Sequence, residues 1–212
     1  MPSPAEAKRR GRRQGGPVSR EAVLAAAKQR FAEQGYDKTT LRQIATDAHV
    51  DASMVLYLFG SKDHLFREAM RLIIDPRRLV DAIAAGSQED LGARLVRTYL
   101  GIWEDPDTGA SMVAMLASAT SNSDANQAFR DFMRDYVLTT VSGALGGGPD
   151  TSLRAVLAAT NMIGTVFLRY IVRVGPLAEV STEEAVRMIA PSVQRYLTAD
   201  VDELELPDGY RP

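Results

Sequence analysis

Residues 40–66, TLRQIATDAHVDASMVLYLFGSKDHLF, contain the starts of three successive helices. Thr40 and Gln43 match a capping box, in which the Thr hydroxyl accepts a backbone N–H three residues later and the Gln reaches back. The next helix is expected to end at Gly60, and Ser61 offers the N-cap of another. Two short helices joined by a turn of about four residues are typical of a helix-turn-helix unit.

Apolar residues recur at helical spacing through most of the chain, and no segment alternates with period two for long enough to predict a strand. A first helix starts after Ser19 and ends at Gly35, and a fourth is terminated or kinked at Pro76. The sequence therefore predicts an all-α fold, with an N-terminal three-helix helix-turn-helix domain followed by a helical bundle. We predict the helices of the bundle at about 76–85, 90–104, 107–121, 124–145, 151–174 and 182–198.

The composition permits a sizeable core, because 45% of the 212 residues are hydrophobic. The absence of cysteine excludes disulfides and thiolate chemistry and permits the cytoplasmic location that we expect. The N-terminus lacks the continuous apolar core of a signal peptide. The stretch 155–172 approaches the length of a membrane span but contains Thr160, Asn161, Thr165 and Arg169, so we expect a buried helix and no membrane partner.

The net charge of −2 conceals an asymmetry along the chain. Residues 1–62 contain eleven basic and six acidic side chains and carry +5, which leaves −7 on the remaining residues. A basic block on an acidic body indicates a module that meets polyanions. Residues 1–18 are expected to be a disordered basic arm that either contacts DNA or is only a solvated tail, and residues 199–212 an acidic, partly ordered tail.

The helix before Gly60 has one face for a core and another for a partner. Helical spacing places Val50, Val55 and Phe59 inward, where Phe31, Ile44 and Ala45 join them, and leaves residues 51–54, Tyr57 and Leu58 outward.

Recognition helices read base edges with their N-terminal residues, so Ala52, Ser53 and Met54 are candidates for base contacts, and Arg42 is the one long side chain to reach a guanine. Phosphate contacts are assigned to Thr40, Tyr57 and Lys62.

Residues 20–66 resemble the DNA-binding domain of the TetR family of bacterial transcriptional regulators. The resemblance rests on Phe31, EQGYDKTTLRQIA (33–45), Val50 and the ending Phe59-x-Ser61-Lys62-x-x-Leu65. The family commonly has a phosphate-contacting Tyr where this chain has Leu56, and a His or Tyr facing the DNA backbone where it has Tyr57. The C-terminal part resembles one actinobacterial-style branch through DPRRLV (75–80), LVRTYLGIWEDP (95–106) and MIAPSVQRYL (188–197).

The resemblance implies a homodimeric repressor that binds a palindromic duplex-DNA operator through residues 19–62 and is released by an unknown small-molecule effector bound within residues 63–198. It also implies that the last two long helices pair across a two-fold axis. The expected interface residues are Val156, Ala159, Ile163, Phe167, Ile189, Val193 and Tyr196. Each aromatic or Met side chain of the expected ligand pocket, taken alone, is better explained as ordinary core, so the pocket rests on the resemblance. Its expected members are Tyr99, Trp103, Met112, Met115, Phe129, Phe132, Met133, Met162 and Phe167.

An alternative is a helical small-molecule-binding protein or enzyme whose helix-turn-helix is only structural. Salt-dependent binding to duplex DNA distinguishes the two hypotheses. His64 and Glu68 have the i, i+4 spacing of a metal pair, but no third ligand is evident. We expect no catalytic site, no metal and no cofactor.

Overall fold

The computed structural model describes residues 20–106 and 108–211, and within them it contains eleven α-helices and no strand, so the all-α prediction is confirmed. The basic arm and Ser19 lie outside the described residues. The helices are α1 (Arg20–Lys38), α2 (Leu41–Asp47), α3 (Ala52–Phe59), α4 (Lys62–Arg71), α5 (Arg77–Ala84), α6 (Leu91–Glu104), α7 (Gly109–Ser121), α8 (Ser123–Phe132), α9 (Thr139–Ala144), α10 (Thr151–Val166) and α11 (Thr182–Thr198).

The helix ends of the N-terminal unit are set by the predicted caps. The Gln43 N–H donates to Thr40 Oγ1 at 3.3 Å while the Thr40 N–H donates to Gln43 Oε1 at 2.7 Å, which completes the capping box. Gly60 ends α3 with a φ of 72°, and Ser61 caps α4 by accepting the His64 N–H at 3.1 Å. These three predictions are confirmed.

Gly35 interrupts α1 but does not end it. Its φ of 72° and ψ of 179° lie outside the helical region, and one further turn continues to Lys38. A left-handed φ favours glycine, which lacks the Cβ that would clash. The kink frees the Tyr36 N–H, which donates to Ser118 Oγ of α7 at 3.1 Å. The N-terminal unit is thereby tied to the bundle, against which α1 packs along α7.

The bundle is centred on α6, α10 and α11, and one continuous hydrophobic core extends from Val23 in α1 to Val193 in α11. The six predicted helices of this part are present within a few residues, with two local differences. A π-helical segment (Met133–Leu138) separates α8 from α9 within the predicted helix 124–145, and another (Phe167–Ile171) extends α10.

The C-terminal tail folds back onto α11. Leu206 is buried, and Arg211 donates to the Leu206 carbonyl at 2.8 Å. Arg195 of α11 donates to Glu203 at 3.0 Å. A short 3-10 turn (Asp208–Tyr210) follows.

A buried arginine holds the connection between α10 and α11. Arg169 is 8% exposed, and its guanidinium donates to the carbonyls of Leu177 and Val180, each at 2.7 Å. A third partner is Glu104 of α6, which lies 3.6 Å from the guanidinium and also accepts hydrogen bonds from neighbouring hydroxyls. One side chain therefore anchors this connection to two helices.

α6 and α11 lie close together at Gly92. A Cβ placed there would lie 2.7 Å from both the Ala190 carbonyl oxygen and the Gln194 backbone nitrogen, which cannot move without moving α11. We expect Gly92→Ala to lower the free energy of unfolding by about 3 kcal/mol, measured by denaturant titration. Gly101→Ala is the matched control on the same helix, because nothing lies within 4 Å of its Cβ, and it should be neutral or stabilising by up to about 1 kcal/mol. Equal effects of the two substitutions would contradict this account.

Candidate functional site

The helix-turn-helix is held on α1 by a small closed core. Phe31, Ile44, Ala45, Val55 and Phe59 are all buried, as predicted, while position 50 is only half-buried.

A salt bridge reinforces this packing. The Arg30 guanidinium of α1 pairs with the Asp47 carboxylate of α2 through two hydrogen bonds, one of them 2.8 Å long. Because core and salt bridge fix α2 and α3 against α1, the outer face of α3 is presented in a defined orientation.

The outer face of α3 is dominated by Tyr57, which is 84% exposed. Ser53 is exposed, whereas Ala52 and Met54 are half-buried. The prediction that position 58 faces outward is wrong, because that leucine packs against the core. At 100° per residue it lies only about 60° from the buried Val55. The exposed leucine is instead Leu56, at 49%.

Two of the three expected phosphate-contacting residues, Thr40 and Lys62, lie at helix starts and already contact other groups. Lys62 is the first residue of α4, and its Nζ lies 3.9 Å from the centroid of the Tyr36 ring, a cation–π contact. Partial burial lowers the pKa of Lys62, and the carboxylates of Asp37, Asp63 and Asp124 oppose that shift. The Thr40 hydroxyl donates to Gln43 Oε1 at 2.9 Å within the capping box.

All seven residues assigned to DNA therefore lie on or next to α2, α3 or α4. Arg42 is exposed on α2, next to the cap residue Thr40, while residues 52–54 form the first turn of α3. The helix-turn-helix brings them into one part of the molecule, which is the arrangement that contact with a duplex requires.

A second candidate site is an apolar cavity inside the bundle, with a volume of about 80 Å³. Seven of the nine residues assigned to the pocket line it. Phe132 does not, because it points toward the polar groove between α4 and α8 and packs against Tyr136 with the ring centroids 5.5 Å apart. Phe167 does not either; it starts a π-helical segment and packs elsewhere on the core. The predicted residues that line the cavity are Tyr99, Trp103, Met112, Met115, Phe129, Met133 and Met162.

Sequence reasoning missed the aliphatic part of the cavity wall. Aliphatic residues at helical spacing give the same signal whether they fill a core or border a space within it, so no sequence feature marked them. They are Ile74, Leu79, Leu95, Ile102, Leu116, Val137, Leu138, Val141, Ala155, Ala158, Ala159, Ile163 and Leu197.

Two of the residues that line the cavity have polar side-chain groups, the hydroxyl of Tyr99 and the indole nitrogen of Trp103. The two residues lie one helical turn apart on α6. Burial raises the pKa of the Tyr99 hydroxyl above its ordinary value, and the neighbouring Trp103 N–H partly offsets the shift. The two groups are neighbours but form no hydrogen bond with each other, and within the described part of the chain Trp103 Nε1 is buried without a partner.

The described residues contain no group of three or more His, Asp or Glu side chains placed to hold a metal ion. His64 instead lies with Nδ1 2.9 Å from the Phe59 carbonyl oxygen, and its Nε2 is 3.9 Å from Glu68. The pair is part of the α3–α4 junction.

An apolar face remains open along α10, the segment after it and α11. Of the expected interface residues, Val156 is 40% exposed, and positions 159, 163, 167, 189 and 196 are half-buried. Val193 was wrongly assigned to the interface, because it is fully buried in the core of its own protomer. Four further exposed apolar residues on these segments were not among the expected interface residues: Leu168, Val172, Val174 and Met188.

By length and composition alone, one helical stretch of the described residues, Thr151–Ile171, would suffice to span a membrane. Core helices of soluble proteins meet the same criteria. This stretch lines the cavity on one side and carries part of the open apolar face on another.

Comparison with known families and proteins gives consistent matches to both parts of the chain. Residues 23–69 match the model of bacterial regulatory proteins of the tetR family, and residues 89–197 match the tetracyclin repressor-like C-terminal domain. The HTH-type transcriptional regulator BetI of Agrobacterium fabrum is 27% identical over 205 residues, which cover 92% of this chain and 93% of BetI. An HTH-type transcriptional repressor of Mycobacterium tuberculosis is 29% identical over 136 residues, 58% of this chain and 73% of the repressor.

Among solved structures, a TetR-family regulator from Streptomyces coelicolor A3 is similar to this chain. It is 35% identical with a TM-score of 0.63, over 88% of this chain and 98% of the other.

Proposed function

Because the chain belongs to the TetR family and is a helix-turn-helix transcriptional regulator, we propose that it is a one-component repressor. As a homodimer it binds a palindromic operator through α2, α3 and α4, and it releases the operator when an effector occupies the bundle cavity. The observation that carries the proposal is the outer face of α3, which the protomer leaves uncovered, with Tyr57 84% exposed. We assign DNA binding to residues 19–62 and effector binding with dimerisation to residues 63–198.

Dimerisation is supported by the open apolar face of α10 and α11. Exposure of apolar side chains to water is unfavourable, and an isologous contact between two copies covers such side chains on both. The exposed side chains here include Val156, Leu168, Val172 and Met188. A two-fold dimer carries two recognition helices that meet successive major-groove faces, which is why the operator is expected to be palindromic.

A continuous chain of contacts supports release by an effector. Met112, Met115 and Leu116 of α7 line the cavity, and Ser118 on the same helix accepts the Tyr36 N–H at the kink of α1. The Lys62 ammonium in turn lies over the Tyr36 ring. A shift of α7 on ligand binding therefore displaces a phosphate-contacting group, and a coupling of about 1–3 kcal/mol is sufficient for regulation.

TetR-family regulators are cytoplasmic in general and typically non-enzymatic, and we assign both properties to this chain. The apolar helix Thr151–Ile171 is then a bundle and dimer helix, and no membrane is involved. The alternative of an enzyme with a structural helix-turn-helix is disfavoured by the exposed outer face of α3, which the described residues of the protomer do not cover.

Binding to duplex DNA around its own gene tests the proposal. Raising the salt concentration from about 50 to 200 mM should weaken binding about a thousandfold if six phosphates are contacted. A footprint should protect two half-sites related by two-fold symmetry, and duplex of shuffled sequence is the control. Binding without sequence preference, or without salt dependence, would contradict the proposal.

A further inference from the structure

The cavity wall contains no charged side chain among the residues that the structure describes, and its only polar side-chain groups besides methionine sulfurs belong to Tyr99 and Trp103. A charged ligand would lose its hydration on entering and find no counter-charge. The Tyr99 hydroxyl cannot supply one, because burial raises its pKa and keeps it protonated. The wall therefore selects against carboxylates and ammonium groups alike.

The indole N–H of Trp103 is an unused hydrogen-bond donor on this wall. Trp103 lines the cavity and is 6% exposed, and its Nε1 has no hydrogen-bond partner among the residues that the structure describes. Buried donors are nearly always paired in folded proteins, and an exception calls for an explanation. A ligand acceptor at this point supplies the missing partner.

The ring that carries this donor is held in place from outside the cavity. Trp103 stacks on Tyr170 with the ring centroids 6.0 Å apart and the planes 6° from parallel. The Tyr170 hydroxyl donates to Glu104 at 2.7 Å, which fixes the stack to α6. A donor fixed before binding loses little conformational freedom when the ligand arrives, which favours affinity.

The cavity volume of about 80 Å³ suits a compact ligand. An apolar cavity of about 150 Å³ admits benzene, so even a molecule of benzene's size must displace side chains in this smaller cavity. Methionines at positions 112, 115, 133 and 162 make that possible, because their unbranched side chains adapt at low cost. Phe129, Met133 and Ile163 line both this cavity and an outer groove.

We propose that the effector is an uncharged, compact and mainly apolar molecule with a hydrogen-bond acceptor, such as a ketone, ester or ether oxygen, that takes the Trp103 indole N–H. The inference rests on the proposed effector role of the cavity and names the chemical class that it admits.

Three test ligands of the same size separate the parts of this proposal. Cyclohexyl methyl ketone offers an acceptor, isopropylcyclohexane replaces it with a hydrocarbon, and cyclohexanecarboxylate replaces it with a charge. Calorimetric titration of the full-length protein should detect binding of the ketone and no binding of the carboxylate. Trp103→Phe should weaken ketone binding about tenfold more than hydrocarbon binding, because the hydrogen bond is lost only with the ketone.

The native protein gives a second measurement that needs no variant. Trp103 is the single tryptophan of the chain, so a ¹⁵N-labelled sample gives one indole N–H resonance. The ketone should move its proton downfield as the hydrogen bond forms, whereas the hydrocarbon should not. The proposal is overturned if the ketone does not bind, if ketone and hydrocarbon move the resonance alike, or if the carboxylate binds as tightly as the ketone. Operator binding is measured separately, so a result that contradicts only the proposed ligand class does not contradict the DNA-binding proposal.

Discussion

Replacing Tyr57 with alanine is expected to weaken operator binding about a hundredfold without changing the free energy of unfolding. The side chain is 84% exposed and therefore contributes little to the protomer's core. One hydrogen bond to a charged group such as a phosphate contributes about 1.5 kcal/mol at the lower end of the range, and a dimer loses two of them. The measurements are fluorescence anisotropy with a labelled operator and denaturant titration of the free protein.

Two further variants on α3 assign the loss to the hydroxyl. Tyr57→Phe removes only that group and should reproduce most of the effect. Leu56→Ala shortens the neighbouring side chain, which is 49% exposed and has no hydrogen-bonding group. This variant should therefore keep the part of the operator affinity that comes from phosphate contacts. If Tyr57→Ala binds the operator like the wild type, the assignment of Tyr57 to the DNA backbone is wrong, and Thr40 and Lys62 carry the contact without it.

Local sequence signals predicted the N-terminal unit in detail because its structure is determined locally. The capping box at Thr40 and the glycine at position 60 act within a single turn, and helical spacing correctly placed Val55 and Phe59 inside. Leu58 was misplaced because it lies at the flank of the inward face, where spacing does not separate core from surface.

Within the bundle, helical spacing identifies an inward face but not the neighbour that the face meets. Phe132 and Phe167 both face inward, yet neither lines the cavity. Phe132 lines the groove between α4 and α8, and Phe167 packs elsewhere on the core. Val193 is inward for the same reason and faces its own core instead of a second copy. The contact between Tyr36 and Ser118 joins positions 82 residues apart, and nothing in either local sequence indicates it.

Arg169→Met is expected to lower the free energy of unfolding by about 3 kcal/mol, because it removes two hydrogen bonds from a buried, charged donor, each contributing about 1.5 kcal/mol or more. The substitution leaves the carbonyls of Leu177 and Val180 without their donor and Glu104 without its cation. Glu104 is ionised in the folded protein, because hydrogen bonds from Thr182 and Tyr170 and the charge of Arg169 outweigh partial burial and keep its pKa below the ordinary value. Denaturant titration measures the loss.

Arg195→Met is the matched control for this prediction, because Arg195 also pairs with a glutamate, at 3.0 Å, but both side chains are more than half exposed. Exposed ion pairs contribute about 0–1 kcal/mol, so this variant should remain close to the wild type. Arg169→Met should also weaken the dimer. Arg169 anchors the segment between α10 and α11, and this segment contains the exposed Val172 and Val174. Sedimentation should therefore show a weaker dimer for Arg169→Met and an unchanged one for Arg195→Met. Equal stability of the two variants would mean that the connection is held without the buried guanidinium.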